Sequence, residues 1–111
     1  MYIFKLFRIE EWLQFKALGK TDGAPIDVMD GFIHFSKANQ VKETAAKHFK
    51  ADKDLILLSC NAEHLKPDLK WEISRGGELF PHLYSSLKFD DALWVAPIDL
   101  IEDRHIIPPG T

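Results

Sequence analysis

Residues 54–60, Asp-Leu-Ile-Leu-Leu-Ser-Cys, are apolar at nearly every position. A run this short and continuous leaves no polar face, so it predicts a central strand covered on both sides. Such a strand needs other layers around it, and the rest of the chain offers them. Residues 2–7 read as a first strand, in which Lys5 either snorkels from an edge or points into a polar cleft. Residues 9–18 carry a broad apolar face with Trp12 as anchor, open with Glu10 and Glu11, and stop at Gly19, which predicts a helix. Residues 20–29, with Gly23 and Pro25, predict a loop, and Asp30-Gly31 a turn into a strand at 32–35. A second helix is expected over 37–49, with Ala38, Val41, Ala45 and Phe49 on one side and Ser36 as its cap.

Further along, residues 62–66 predict a helical turn before Pro67, and 69–73 an alternating strand. Residues 80–84 contain Pro81 and are expected at a sheet edge or rim. Residues 92–98 predict the last strand, followed by a loose tail at 99–111 that includes Pro108-Pro109-Gly110. The order predicts an α+β fold, two main helices on a largely antiparallel or mixed sheet system, in a single domain spanning 1–111 with its core at about 2–98.

Charge narrows the function classes. The net charge is −3, from 14 basic and 17 acidic side chains without a like-charged block, which argues against a nucleic-acid surface. The apolar runs fall far short of the ~20 residues that cross a bilayer, so no membrane partner is expected. No signal peptide is read at the start, and Cys60 is a lone cysteine within the central strand, so a cytoplasmic setting and a core role for its thiol are expected. A small-molecule ligand is the partner left, and the oligomeric state is not readable.

Two segments carry candidate chemistry. In Phe32-Ile33-His34-Phe35-Ser36 the strand alternation places Phe32, His34 and Ser36 on one face and Ile33 and Phe35 on the other. If the latter pair faces the core, His34 and Ser36 face a groove; the alternative is a histidine that only ties down a neighbouring loop. In Phe80-Pro81-His82-Leu83-Tyr84 the proline stiffens the presentation of His82, with Tyr84 on the same face. An imidazole and a phenol on a rim suit a ligand clamp or an acid–base pair, or else a packed edge. Glu72, between Trp71 and Ile73, needs solvent or partners, and either raises the basicity of a histidine, binds ribose hydroxyls, or faces solvent beside Lys70 or Lys88. Arg75, next to two glycines, could meet a phosphate or lie solvated in a turn.

No local metal-binding spacing occurs, although His34, His82 and Glu72 could meet across strands without leaving a sequence signature. His48, His64 and His105 read as surface or structural. Glycine-rich phosphate loops and a nucleophile elbow are absent.

Several of these features, taken in order, resemble a bacterial family known as domain of unknown function 952. They are Phe4-Lys5-Leu6, Trp12, Asp30-Gly31-Phe32-Ile33-His34-Phe35-Ser36, Gln40, Asp54-Leu55-Ile56-Leu57-Leu58, Lys70-Trp71-Glu72 and Leu79-Phe80-Pro81-His82-Leu83-Tyr84. The resemblance implies a split α+β core like that of the ADP-ribosyltransferases, with two small sheets around an NAD-binding cleft. Relatives with that fold include NAD-using toxins and RNA 2′-phosphotransferases. It also implies a transferase or hydrolase acting on NAD or a related ribosyl phosphate, or a non-catalytic nucleotide-binding module that has kept the cleft. Carried over by position, Lys5 stands where such enzymes hold the ribose, and His34 or Ser36 where they flank the nicotinamide. Their activating glutamate belongs on the late strand, which here reads Phe80 to Tyr84 and has none; Glu72 lies one strand earlier. The expected catalytic residues are therefore His34, Glu72 and His82 and the ligand-binding residues Lys5, Ser36, Trp71, Arg75 and Tyr84, with no metal; the cofactor is not readable, NAD being the one the resemblance suggests.

Overall fold

The computed structural model describes residues 1–108. The chain opens with strand β1 (Tyr2–Phe7) and helix α1 (Ile9–Leu18). Glu11 Oε1 accepts the Arg8 backbone N–H at 3.0 Å and Gly19 closes the helix in the left-handed conformation, as the two end signals require. Residues 20–29 depart from the expected loop. They form a short strand β2 (Lys20–Thr21) and a helix α2 (Pro25–Asp30) that starts with proline at its first turn and ends at Gly31. Its Ile26, Val28 and Met29 are exposed and its buried residue is Asp27, so it has no apolar stripe to betray it.

Strand β3 is short (Ile33–His34), and α3 (Val41–His48) follows a 3₁₀ turn at Ala38–Gln40. Ser36 does not cap that helix, because its backbone is already committed: its N–H and C=O both pair with Phe4, at 2.8 and 2.9 Å. The helical start moves beyond it, and Gln40 Oε1 accepts the Lys37 N–H instead. Next come β4 (Leu55–Asn61), α4 (Ala62–Leu65), β5 (Leu69–Ile73), β6 (Leu79–Leu83), β7 (Leu87–Lys88), β8 (Ala92–Ile101) and β9 (Arg104–Ile106). The last strand thus runs past residue 98, and much of the expected loose tail is a hairpin; Pro109-Gly110 lies outside the described residues.

All strand pairings are antiparallel. One sheet has the order β1-β4-β8-β9, a second β3-β6-β5, and β2 pairs with β7. β4 is an inner strand of its sheet and buries Leu55 and Leu57–Cys60, as its composition demands. Leu58 and Cys60 on one face join Ile3, Phe7, Trp12, Phe15, Ile33, Phe35 and Leu83. Leu55 and Leu57 on the other join Phe4, Leu6, Val41, Ala45 and Ile98. Burial pushes the Cys60 thiol up to about 12, which keeps it an inert core group.

The segment 80–84 is not at an edge, since β6 is the middle strand of its sheet. Proline is tolerated there because of where its missing donor points. Phe35 N–H donates to Pro81 O at 3.0 Å, so the nitrogen of Pro81 faces the chain just beyond the end of β3. The lost ladder bond falls where the ladder already ends.

Candidate functional site

The two sheets, α2 and α3 leave a cleft of about 640 Å³ between them, lined among others by Lys5, Arg8, Asp27, Asp30, His34, Ser36, Thr44, His48, Arg75, Phe80 and His82. That volume suits a ligand of nucleotide size.

On one wall the organising residue is Asp27, which the sequence reading passed over. It is 1% exposed, held by the first turn of α2. Its Oδ2 accepts from Lys5 Nζ at 2.9 Å and from the Ala24 N–H at 2.7 Å. Its Oδ1 accepts from the His34 N–H at 3.1 Å and is hydrogen-bonded to His34 Nδ1. Burial pushes the carboxyl up, but the hydrogen bond from His34 and the charge of Lys5 outweigh it and hold Asp27 far below the usual carboxylate range. Lys5 is therefore neither snorkelling nor free; it is 7% exposed, with its ammonium neutralised inside the cleft wall. Gly23 is glycine for the same reason, because a Cβ there would collide with the Asp27 carboxylate and φ is +96°. His34 turns its outer nitrogen to Asp30, with Nε2 and Oδ2 3.1 Å apart.

The second wall is β6. His82 pairs directly across from His34, and the two ring centroids are 5.4 Å apart. Phe32 stacks on His82 at 4.1 Å, another residue that sequence reasoning placed on this face without giving it a role. Glu72 Oε1 binds His82 Nδ1 at 2.9 Å and accepts from Tyr84 Oη at 2.6 Å. The hydrogen bonds from Tyr84 and His82 hold the Glu72 carboxyl below its ordinary value, and the same contact raises the Tyr84 phenol. In the neutral tautomer whose Nδ1–H donates to Glu72, Nε2 of His82 carries the lone pair. That nitrogen is buried and has no hydrogen-bond partner among the described residues.

Farther along the cleft, Arg75 Nη2 donates to Thr44 Oγ1 at 3.1 Å, Ser36 Oγ lies 3.1 Å from the same oxygen, and the guanidinium covers the Phe80 ring. Glu43 Oε1 approaches Arg75 Nε at 3.4 Å. Burial, then the charges of Arg75, His34 and Lys47, lower the pKa of His48.

The cleft therefore gathers Lys5, His34, Ser36, Arg75 and His82. Glu72 and Tyr84 stand behind His82 rather than in the cleft, and Trp71 is on the opposite face of β5, exposed. His48 lines the cleft, while His105 Nε2 is 3.0 Å from Asp52 O. Among the described residues, no group of three or more His, Cys, Asp or Glu side chains is arranged to hold a metal ion, the Glu72–His82–His34 set included. Among the described residues no helix is long and apolar enough to cross a membrane.

A family model described as protein of unknown function (DUF952) matches residues 6–95. Among solved structures, the crystal structure of protein CC0527 from Caulobacter crescentus is similar at 45% identity and a TM-score of 0.91, covering 95% of this chain and 92% of that one. The solution structure of CC0527 matches at 45% identity and a TM-score of 0.83, over 94% and 90%. No curated protein matches the chain.

Proposed function

We propose that this chain, which belongs to the DUF952 family, binds a ribosyl-phosphate ligand such as NAD in the cleft and acts on it with His82 as proton acceptor. The observation that carries this reading is the unpartnered Nε2 of His82. A buried polar atom without a partner is costly, and because His82 lines a ligand-sized cleft, a ligand hydroxyl or N–H would supply that partner. Glu72 fixes the tautomer and stabilises the imidazolium that forms when Nε2 takes a proton, the division of labour of a carboxylate–histidine pair. His34 and Lys5, set by Asp27, hold the ligand's polar groups. Arg75 and Ser36, which line the cleft, take its phosphate.

The likeness to the ADP-ribosyltransferases enters here, supported by two small antiparallel sheets flanking a cleft with Lys5, His34 and Ser36 on its walls. On this reading the chain is a single cytoplasmic domain whose lone cysteine is buried. One observation favours a second reading, a nucleotide-binding module without transferase chemistry. The late strand has no glutamate, and the carboxylate of Glu72 is taken up by His82 and Tyr84 instead of facing the cleft.

Calorimetric titration with NAD tests the ligand. Saturable heat is expected, lost in His34→Ala and in His82→Ala. Absence of binding at millimolar NAD overturns the NAD assignment. Mass spectrometry of the incubated mixture then separates the readings: conversion identifies the enzyme, retention without conversion the module.

A further inference from the structure

We infer that the free edge of β5 pairs with the β5 of a second copy of this chain, in an antiparallel two-fold register centred on Trp71. β5 is an outer strand of its sheet, bonded among the described residues only to β6. The ladder fixes which backbone groups are left over. Tyr84 N–H donates to Asp68 O and Ser74 N–H to Glu78 O, which marks the even-numbered positions of β5 as those bonded to β6. The N–H and C=O groups of Leu69, Trp71 and Ile73 therefore point outward from the edge. Unpaired groups of this kind are a template for another strand.

The side chains commit the edge to one occupant, because the sequence of β5 complements itself. With Trp71 opposite the partner's Trp71, Leu69 falls opposite the partner's Ile73, and Lys70 opposite the partner's Glu72. One face of the paired strands is then wholly apolar, joining Trp71 and Ile73, which are 37% and 73% exposed in the single chain. The other carries two opposite-charge pairs directly across from one another. A lysine on an edge strand ordinarily discourages pairing, but in this register each lysine meets a carboxylate. A shift by one residue breaks this match, putting Lys70 or Glu72 against an apolar side chain of the partner. The pairing also reaches the cleft. Glu72 is the residue that orients His82, so the partner's Lys70 stands beside the carboxylate that holds the imidazole.

Charge exchange on the full chain tests the register. Sedimentation velocity of the wild type from about 10 µM to about 1 mM is expected to show a concentration-dependent dimer. Lys70→Glu and Glu72→Lys, each placing like charges across both positions, are expected to weaken it about tenfold or more. An equimolar mixture of the two variants is expected to form a heterodimer, since the introduced charges then face opposite ones. Rescue in the mixture also shows that both variants are folded. Independently, amide exchange of Leu69, Trp71 and Ile73 in the wild type is expected to slow as concentration rises. A wild type that stays monomeric to about 1 mM, a mixture that stays monomeric, or concentration-independent exchange at those amides overturns the proposal.

Discussion

At Asp27, four hydrogen bonds converge on one buried carboxylate, from Lys5 Nζ, the Ala24 N–H, the His34 N–H and the His34 ring. Three of these hydrogen bonds come from Lys5 and His34, which line the cleft, and the fourth ties down the first turn of α2. Removing the carboxylate strands a 7%-exposed ammonium without its counter-charge. Asp27→Ala is therefore expected to cost about 3–5 kcal/mol in urea denaturation, the range for breaking one side of a buried pair. The pH dependence follows from the direction of the shift. The folded carboxyl titrates below its ordinary value of 3.8, so its stabilisation is complete above about pH 4 and is lost as the pH falls from there toward its folded value. Wild-type stability should fall through that acid window, and Asp27→Asn should flatten this part of the profile from a lower starting level. An unchanged acid limb in Asp27→Asn would show that the Lys5–Asp27–His34 cluster contributes no linked stability.

Elements differed in how plainly the sequence announced them, and the differences have physical causes. β1, α1 and β4 follow from apolar periodicity because each buries apolar side chains in its own pattern, and β5 follows from its alternation although none of its side chains is buried. α2 escaped because it is anchored by a charge. Its apolar residues Ile26, Val28 and Met29 face solvent, and the usable signals were Pro25 at the first turn, Asp27 two positions later and Gly31 after the end. His34 and His82 stood out as polar interruptions of apolar strands, and the alternation placed them on their shared face. Their carboxylate partners are set by tertiary register, which no local pattern encodes. The central place of β6 was likewise hidden, since a proline is read as an edge until its neighbour is known to end beside it. The β8–β9 hairpin was hidden by its turn. Glu102 and Asp103 adopt φ of +49° and +63°, a conformation that asparagine and glycine adopt far more readily. Replacing the pair by Glu102→Asn with Asp103→Gly is expected to add about 0.5–1 kcal/mol of stability by relieving that strain. Urea midpoints of the two proteins check it, and an unchanged midpoint would mean that the hairpin opens independently of global unfolding.

For the whole molecule, the cleft matters because of how many separate parts it joins. Its lining runs from Phe4 on β1, through Asp27 on α2 and Thr44 and His48 on α3, to Arg75 and His82 beside and on the second sheet. A ligand seated there touches both sheets and both flanking helices at once, and the unfolded chain has no equivalent surface. Binding is thus linked to global stability: at a hundredfold excess over Kd it adds about 2.7 kcal/mol. In a domain of this size that raises Tm by about 10 °C or more. With NAD as the probe, differential scanning calorimetry should show a shift of this size in the wild type. His82→Gln, which keeps a side-chain amide for Glu72 to bind but removes the imidazole, should reduce it sharply. Trp71→Ala should leave the shift intact, because Trp71 lies on the face of β5 turned away from His82. That contrast separates the expected ligand-binding role of Trp71 from the place the fold gives it. If Trp71→Ala abolished the shift while His82→Gln preserved it, the ligand would sit on the face of β5 opposite His82, and the cleft would lose its claim to the function.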